Sequence, residues 1–198
     1  NVQSFYPSQN PDTFSIIQPA VSNKGFNFRF FLDHTENPLP YLGATNIEQS
    51  SYINNIKSLY LSPGYVFSKN FFLGLNLPLH FLSNKTENDK FLTGDTRLFA
   101  VFPLLNNAAI VPELFIPGGN SDYYLSSKSL GYGLLGSLSF KLSKSLKVTG
   151  NFGFRHFSSS TFENLNYTNQ IPIGLSFVLA LTKKLDLFFE TQKNLLLN

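Results

Sequence analysis

The chain contains no cysteine, no methionine and no tryptophan, and only 14% of its 198 residues are charged. Without cysteine there is no disulfide framework and no thiolate metal site. An ordinary soluble domain carries roughly 25% charged residues, so this surface is short of the groups that hold a protein in water. Long apolar runs are missing too. A membrane helix needs about 20 mostly apolar residues in succession, and the longest uncharged stretch, residues 164–182, is broken by asparagines, glutamine, Pro172 and Gly174. The net charge of +3 is small and dispersed along the sequence, which argues against a nucleic-acid partner. No charged and apolar leader precedes the first patterned segment, as in a mature exported chain or an excised piece of one.

What the chain has is phenylalanine, 22 copies beside 9 tyrosines, spread in strict alternation. Phe71, Leu73, Leu75, Leu77, Leu79 and Phe81 fall on one parity, and Phe72, Gly74, Asn76, Pro78, His80 and Leu82 on the other. Successive side chains of a strand point to opposite faces, so this segment predicts a long strand with one wholly apolar face. Eight more segments carry the same signature: 25–33, 56–67, 94–104, 108–117, 130–142, 146–157, 170–181 and 185–190. A tilted membrane strand needs about 9–11 residues, whereas soluble strands usually have about 5–6.

The distribution of charge over the two parities decides between the obvious architectures. In mid-strand the ionisable residues fall opposite the apolar parity, with only Lys57 and His156 on it, both near strand ends. A soluble sandwich would put charges on its exposed face and keep its enclosed face apolar. Connections alternate between short ones (68–70, 106–107, 143–145, 182–184) and long polar ones (34–54, 83–93, 118–129, 158–169). That is the habit of an outer-membrane barrel, with short periplasmic turns and long external loops. The expected fold is therefore all-β: an antiparallel transmembrane β-barrel of at least nine strands, ten to twelve when closed. Residues 1–24 are expected to form a periplasmic N-terminal segment and residues 25–198 the barrel. Nine is an odd number, and single-chain bacterial barrels use even ones, so either residues 13–21 add a strand or residues beyond Asn198 close the barrel, the second being the favoured expectation. Pro63, Pro78, Pro112, Pro117 and Pro172 lie in or beside strands, where bulges or strand ends should absorb the missing donors.

Several short pieces carry a resemblance. Asn1-Val-Gln-Ser-Phe-Tyr-Pro, Pro11-Asp-Thr-Phe-Ser-Ile16, Asp33-His-Thr-Glu-Asn-Pro-Leu39, Leu75-Asn-Leu-Pro-Leu79, Gly94-Asp-Thr-Arg-Leu98, Asn151-Phe-Gly-Phe-Arg155 and Leu185-Asp-Leu-Phe-Phe-Glu190 together resemble the N-terminal barrel of OmpA-family outer-membrane proteins. They are also similar to a group of barrels linked to transport in phenol-degradation pathways. The resemblance implies an outer-membrane location, contact with lipid and lipopolysaccharide, and further strands and a peptidoglycan-binding domain beyond this chain. It implies no catalytic residues, cofactor or metal.

The candidate site is the set of inward charges: Arg29, Asp33, His80, Asp95, Arg97, Glu113, Arg155 and Glu190, joined at the strand ends by Lys141, Lys147 and Asp186. Buried charges must be paired, so the expected arrangement is an ion network filling a narrow lumen, giving the barrel a structural or anchoring role. The alternative is a passive path for small, including hydrophobic, molecules, with His80, Asp95, Arg97 and Arg155 as its constriction. A third reading starts from His156-Phe157-Ser158, which resembles the His-x-Ser of lipid A deacylase barrels. That family has a Glu twelve residues after the Ser, where this chain has Gln170, so the resemblance lacks its orienting carboxylate. Residues 118–122 could offer oxygens to a cation, and Tyr41, Tyr52, Tyr123, Tyr124 and Tyr167 could form an interfacial belt. From the parity, Leu75→Arg should be costly in lipid and Asn76→Arg mild.

Overall fold

The computed structural model describes residues 24–36, 40–42, 49–51, 55–83, 89–118, 129–158, 161–162, 165–166, 168–182 and 185–197. Within them the chain forms strands and no helix. In chain order the strands are β1 (Gly25–Glu36), β2 (Pro40–Leu42), β3 (Gln49–Ser51), β4 (Asn55–Ser68), β5 (Phe71–Ser83), β6 (Lys90–Thr93) and β7 (Thr96–Leu105). They continue with β8 (Ala108–Ile116), β9 (Gly131–Lys141), β10 (Leu146–Phe157), β11 (Thr161–Phe162), β12 (Leu165–Asn166), β13 (Asn169–Ala180) and β14 (Asp186–Leu197). One antiparallel sheet runs β1-β4-β5-β7-β8-β9-β10-β13-β14, with β6 paired to the C-terminal end of β5, and it curls into a half-barrel. Two small hairpins, β2–β3 and β11–β12, stand in long connections. Residues 13–21 lie outside the described residues.

All nine expected segments are strands. The alternation of side chains maps directly onto burial: β5 reads half-buried, buried, half-buried, buried along almost its whole length. Phe26, Phe30, Leu32 and Phe152 are 65–69% exposed on the convex face, while Asn76, His80 and Ser62 are fully buried on the concave one. Hydrophobic side chains are enclosed mainly where strands approach the short turns. There Val66, Phe72, Phe99, Val101, Ala109, Val111 and Leu135 pack together inside the curl.

Two features depart from the expected pattern. β14 continues past Glu190 to Leu197, which turns Thr191 and Lys193 onto the convex face. The second is a change of register. β6 pairs with β5 as Leu79↔Thr93 and β7 pairs with it as Asn76↔Arg97, so one extra residue lies between the two pairings. Gly94 and Asp95 form this bulge, and both are buried. Before it, Phe91 and Thr93 are exposed; after it, Arg97, Phe99 and Val101 turn inward. A bulge of this kind re-aims the side chains that follow.

The prolines are handled differently from expectation. Pro78 does face the bulge, and its carbonyl accepts the Gly94 N–H at 2.9 Å. Pro63, Pro112 and Pro172, however, sit mid-strand with no slip of register around them. Pro63 lies beside Ser62, whose hydroxyl donates to the Asn76 side-chain carbonyl at 2.8 Å, a side-chain bond joining β4 to β5 beside the proline.

Candidate functional site

The concave face between the apolar cluster and the long connections holds the polar site. β8, β9 and β10 supply it because each brings one inward position to the same level, and β7 adds Arg97 from the next inward position along. Glu113 on β8, Gly133 on β9 and Arg155 on β10 are consecutive partners across the sheet. Gly133 has no side chain, so the flanking carboxylate and guanidinium meet over it. A Cβ at Gly133 would lie 2.9 Å from Arg155 Cγ and 3.0 Å from Glu113 Oε2. Glycine inside a strand often marks such a close approach.

Arg155 Nε donates to Glu113 Oε2 at 2.7 Å and Arg155 Nη2 to Oε1 at 3.2 Å, a two-pronged contact. Arg97 Nη2 forms an ion pair with the same Oε1. Both guanidiniums also lie over aromatic faces, Arg97 4.4 Å from the Phe99 ring centre and Arg155 5.3 Å from that of Phe115. Phe115 and Phe157 then close over the pair, with ring centres 5.2 Å apart. Glu113 is thus enclosed by two cations that are themselves roofed and floored by phenylalanine. One carboxylate between two guanidiniums, with Asp95 buried two residues from Arg97 on the same face, is a dry electrostatic clasp joining β7, β8 and β10.

The remaining expected residues fall into separate groups. Asp33, Ser58 and His80 form one row across β1, β4 and β5. In it Ser58 Oγ lies 2.9 Å from His80 Nδ1, and Tyr60 meets the His80 ring edge-on at 6.1 Å. Thr35 Oγ1 donates to Asp33 Oδ2 at 3.1 Å. Arg29 lies opposite Ser62 in the register, and Glu190 sits half-buried opposite Ser176 near the other edge. The expected constriction of His80 with Asp95, Arg97 and Arg155 is therefore two sets, a histidine row and a Glu113-centred clasp. Lys141 is exposed at the end of β9 and Lys147, its register partner, is half-buried at the start of β10, both at the short-turn end of their strands. The Asp186 side chain lies outside the described residues. Polar pairs that the parity did not single out complete the wall: Asn151 Nδ2 donates to Ser137 Oγ at 3.0 Å, and Ser139 Oγ and Thr149 Oγ1 are 3.0 Å apart. Their only sequence signal is small polar residues opposite one another on the inward parity.

His156 and Ser158 share the convex parity, as the deacylase resemblance requires. Yet His156 Nδ1 lies 2.8 Å from Asn169 Oδ1, and Ser158 Oγ donates to the Leu130 carbonyl at 3.2 Å. Gln170 is buried on the opposite, concave face, away from the imidazole. Residues 119–122, Tyr52, Tyr123, Tyr124 and Tyr167 lie outside the described residues, as does the side chain of Tyr41. No group of three or more His, Asp or Glu suited to a metal ion occurs among the described residues.

The chain matches no family model, no curated protein and no solved structure.

Proposed function

We propose that this chain is the wall of an outer-membrane β-barrel with a structural, anchoring role and a filled interior. The observation that carries this reading is the inversion of polarity. Large apolar side chains cover the convex face, whereas arginine, glutamate, histidine and asparagine are buried on the concave one. Water outside would favour the reverse, and lipid outside favours this arrangement.

The dimensions agree with a bilayer. On the convex face, Tyr65, Phe67, Phe71 and Phe102 form a chain of ring contacts of 4.7–5.2 Å beside the short turns. Phe81 and Phe91 meet at 4.8 Å near the long connections. Ten residues separate Phe71 from Phe81 along β5, about 33 Å at the usual rise per residue. Tilted by about 40°, that span is about 25 Å tall, the height of the apolar band of an outer-membrane barrel between its aromatic girdles.

The clasp and the apolar cluster fill the curl at successive levels, which supports anchoring over permeation. The resemblance to OmpA-family barrels points the same way. A passive transporter for small molecules draws its support from the polar wall pairs and the buried charges. Planar-bilayer recording separates the two roles. A structural wall gives a silent bilayer at purified-protein densities that produce insertion; discrete, reproducible conductance steps would assign the chain to transport.

A further inference from the structure

The net charge of +3 is divided unevenly between the two kinds of connection. The four short connections contain Lys69, Lys144, Lys183 and Lys184 and no acidic residue. Lys24 and Lys141, both exposed, flank the same end at the start and end of strands, with Asp186 as the acidic residue at the start of β14. The long connections hold Glu36, Glu48, Glu87, Asp89, Asp122 and Glu163, with Lys85, Lys90 and Lys128 among them. The short connections are therefore basic in sequence, and among the described residues Lys69 and Lys144 are exposed in them.

The turns are built to present these lysines. In Ser68-Lys69-Asn70 the Ser68 hydroxyl accepts the Asn70 N–H at 3.2 Å. In Ser143-Lys144-Ser145 the Ser143 hydroxyl accepts the N–H groups of Ser145 at 3.2 Å and Leu146 at 3.0 Å. Each serine closes the backbone under the lysine, a local side-chain-to-backbone turn, and leaves that lysine exposed at the tip. The connection from β13 to β14 repeats the order hydroxyl then lysine, as Thr182-Lys183-Lys184. Immediately inside this ring lies the aromatic chain of Tyr65, Phe67, Phe71 and Phe102, and Phe140 and Leu142 flank Lys141 on the convex face. The ammonium groups thus stand one or two residues beyond the edge of the apolar belt, at the level of lipid headgroups rather than in open water beyond them.

We propose that the short-turn lysines form a headgroup-binding ring that engages anionic phospholipid in the leaflet on that side. The inference rests on the membrane reading above. A polybasic ring at the surface of an anionic leaflet gains attraction from each cation near the headgroups, and salt screens it. The alternative partner, an acidic polymer reached beyond the headgroups, fits less well because Lys69 and Lys144 stand in tight turns of two and four residues flush with the belt.

The test compares insertion of the detergent-purified chain into phosphatidylcholine vesicles and into vesicles of phosphatidylcholine with phosphatidylglycerol. The wild type should insert several-fold faster into the anionic vesicles, with the advantage falling as salt rises. A triple variant, Lys69→Gln, Lys141→Gln and Lys144→Gln, should insert into phosphatidylcholine as the wild type does and lose the preference. The triple Lys→Arg variant should keep it. Native mass spectrometry should find phosphatidylglycerol retained on the wild type and depleted on the Gln variant. Equal rates for the wild type in both vesicles, or an undiminished preference in the Gln variant, overturns the proposal while leaving the membrane reading intact. A wild type that binds soluble polyglutamate more tightly than phosphatidylglycerol also overturns it, in favour of a polymer partner. Failure to insert into either vesicle instead defeats the membrane reading on which it stands.

Discussion

At the scale of single residues, Glu113 is the group on which the interior depends. It lies between two guanidiniums in a space with almost no water, so its negative charge is what makes Arg97 and Arg155 tolerable there. Removing one member of a buried ion pair strands the other and costs about 3–5 kcal/mol. Glu113→Gln should therefore lower the denaturant midpoint of the reconstituted protein sharply. Replacing the whole clasp, Arg97→Met with Glu113→Leu and Arg155→Met, should cost less than the single change, because no charge is left without a counterpart. Gly133→Ala tests the geometry of the same clasp. Its new Cβ must displace Arg155 Cγ and also meets the Phe154 carbonyl at 3.1 Å, so a loss of about 1–3 kcal/mol is expected in the same unfolding experiment. Asn76 changes the expectation drawn from parity alone. It is fully buried, hydrogen-bonded to Ser62 and a register partner of Arg97, so Asn76→Arg adds volume and like charge where there is room for neither. On the proposed membrane reading, Leu75→Arg on the convex face should cost about 2–4 kcal/mol. Refolding yields of both variants should fall, Leu75→Arg only in vesicles and Asn76→Arg in detergent as well.

At the scale of strands, the period of two carries most of the information. It sets which residues of β1, β4, β5, β8, β9, β10 and β13 are enclosed, because a strand has no freedom to turn one side chain without turning the next. The same rule explains what was not legible. At Gly94–Asp95 an extra residue shifts the parity, and nothing in the spacing of Phe91 and Phe99 announces on which side of the glycine the shift falls. The extension of β14 was hidden because Thr191 and Lys193 break the apolar parity, although the β13 edge pairs with them through Leu197. The clasp was legible as a list of inward charges but not as a triad. Strand separation by register, and the missing side chain of Gly133, decide who meets whom. Deleting Gly94 offers a check on the bulge. It would remove the extra residue and let β6 and β7 pair with β5 in one register, with Phe91 still facing outward opposite Phe81. Hydrogen exchange at residues 90–93 should then be at least as slow as in the wild type, and a loss of protection there would contradict a one-residue bulge.

At the scale of the whole molecule, the sheet is an object with two surfaces and two ends, and each has its own chemistry. The convex surface is apolar between two aromatic girdles, the concave surface is polar and packed, and the short connections are basic in sequence. β1 and β14, at the two edges of the sheet, run in the same direction, since each step along the nine-strand path reverses it. An odd number of further antiparallel strands between them would complete a barrel of even count, the usual arrangement for a single chain. The central claim is that the convex surface meets acyl chains. Because the chain has no cysteine, a single introduced cysteine gives one unambiguous label site. Nitroxides placed one at a time along residues 71–83 of the vesicle-inserted protein report contact with oxygen, which dissolves in lipid, and with a water-soluble nickel chelate. Odd positions should be accessible to oxygen and shielded from nickel, and even positions shielded from both, with a period of two. Odd positions as open to nickel as a label in free solution would contradict it.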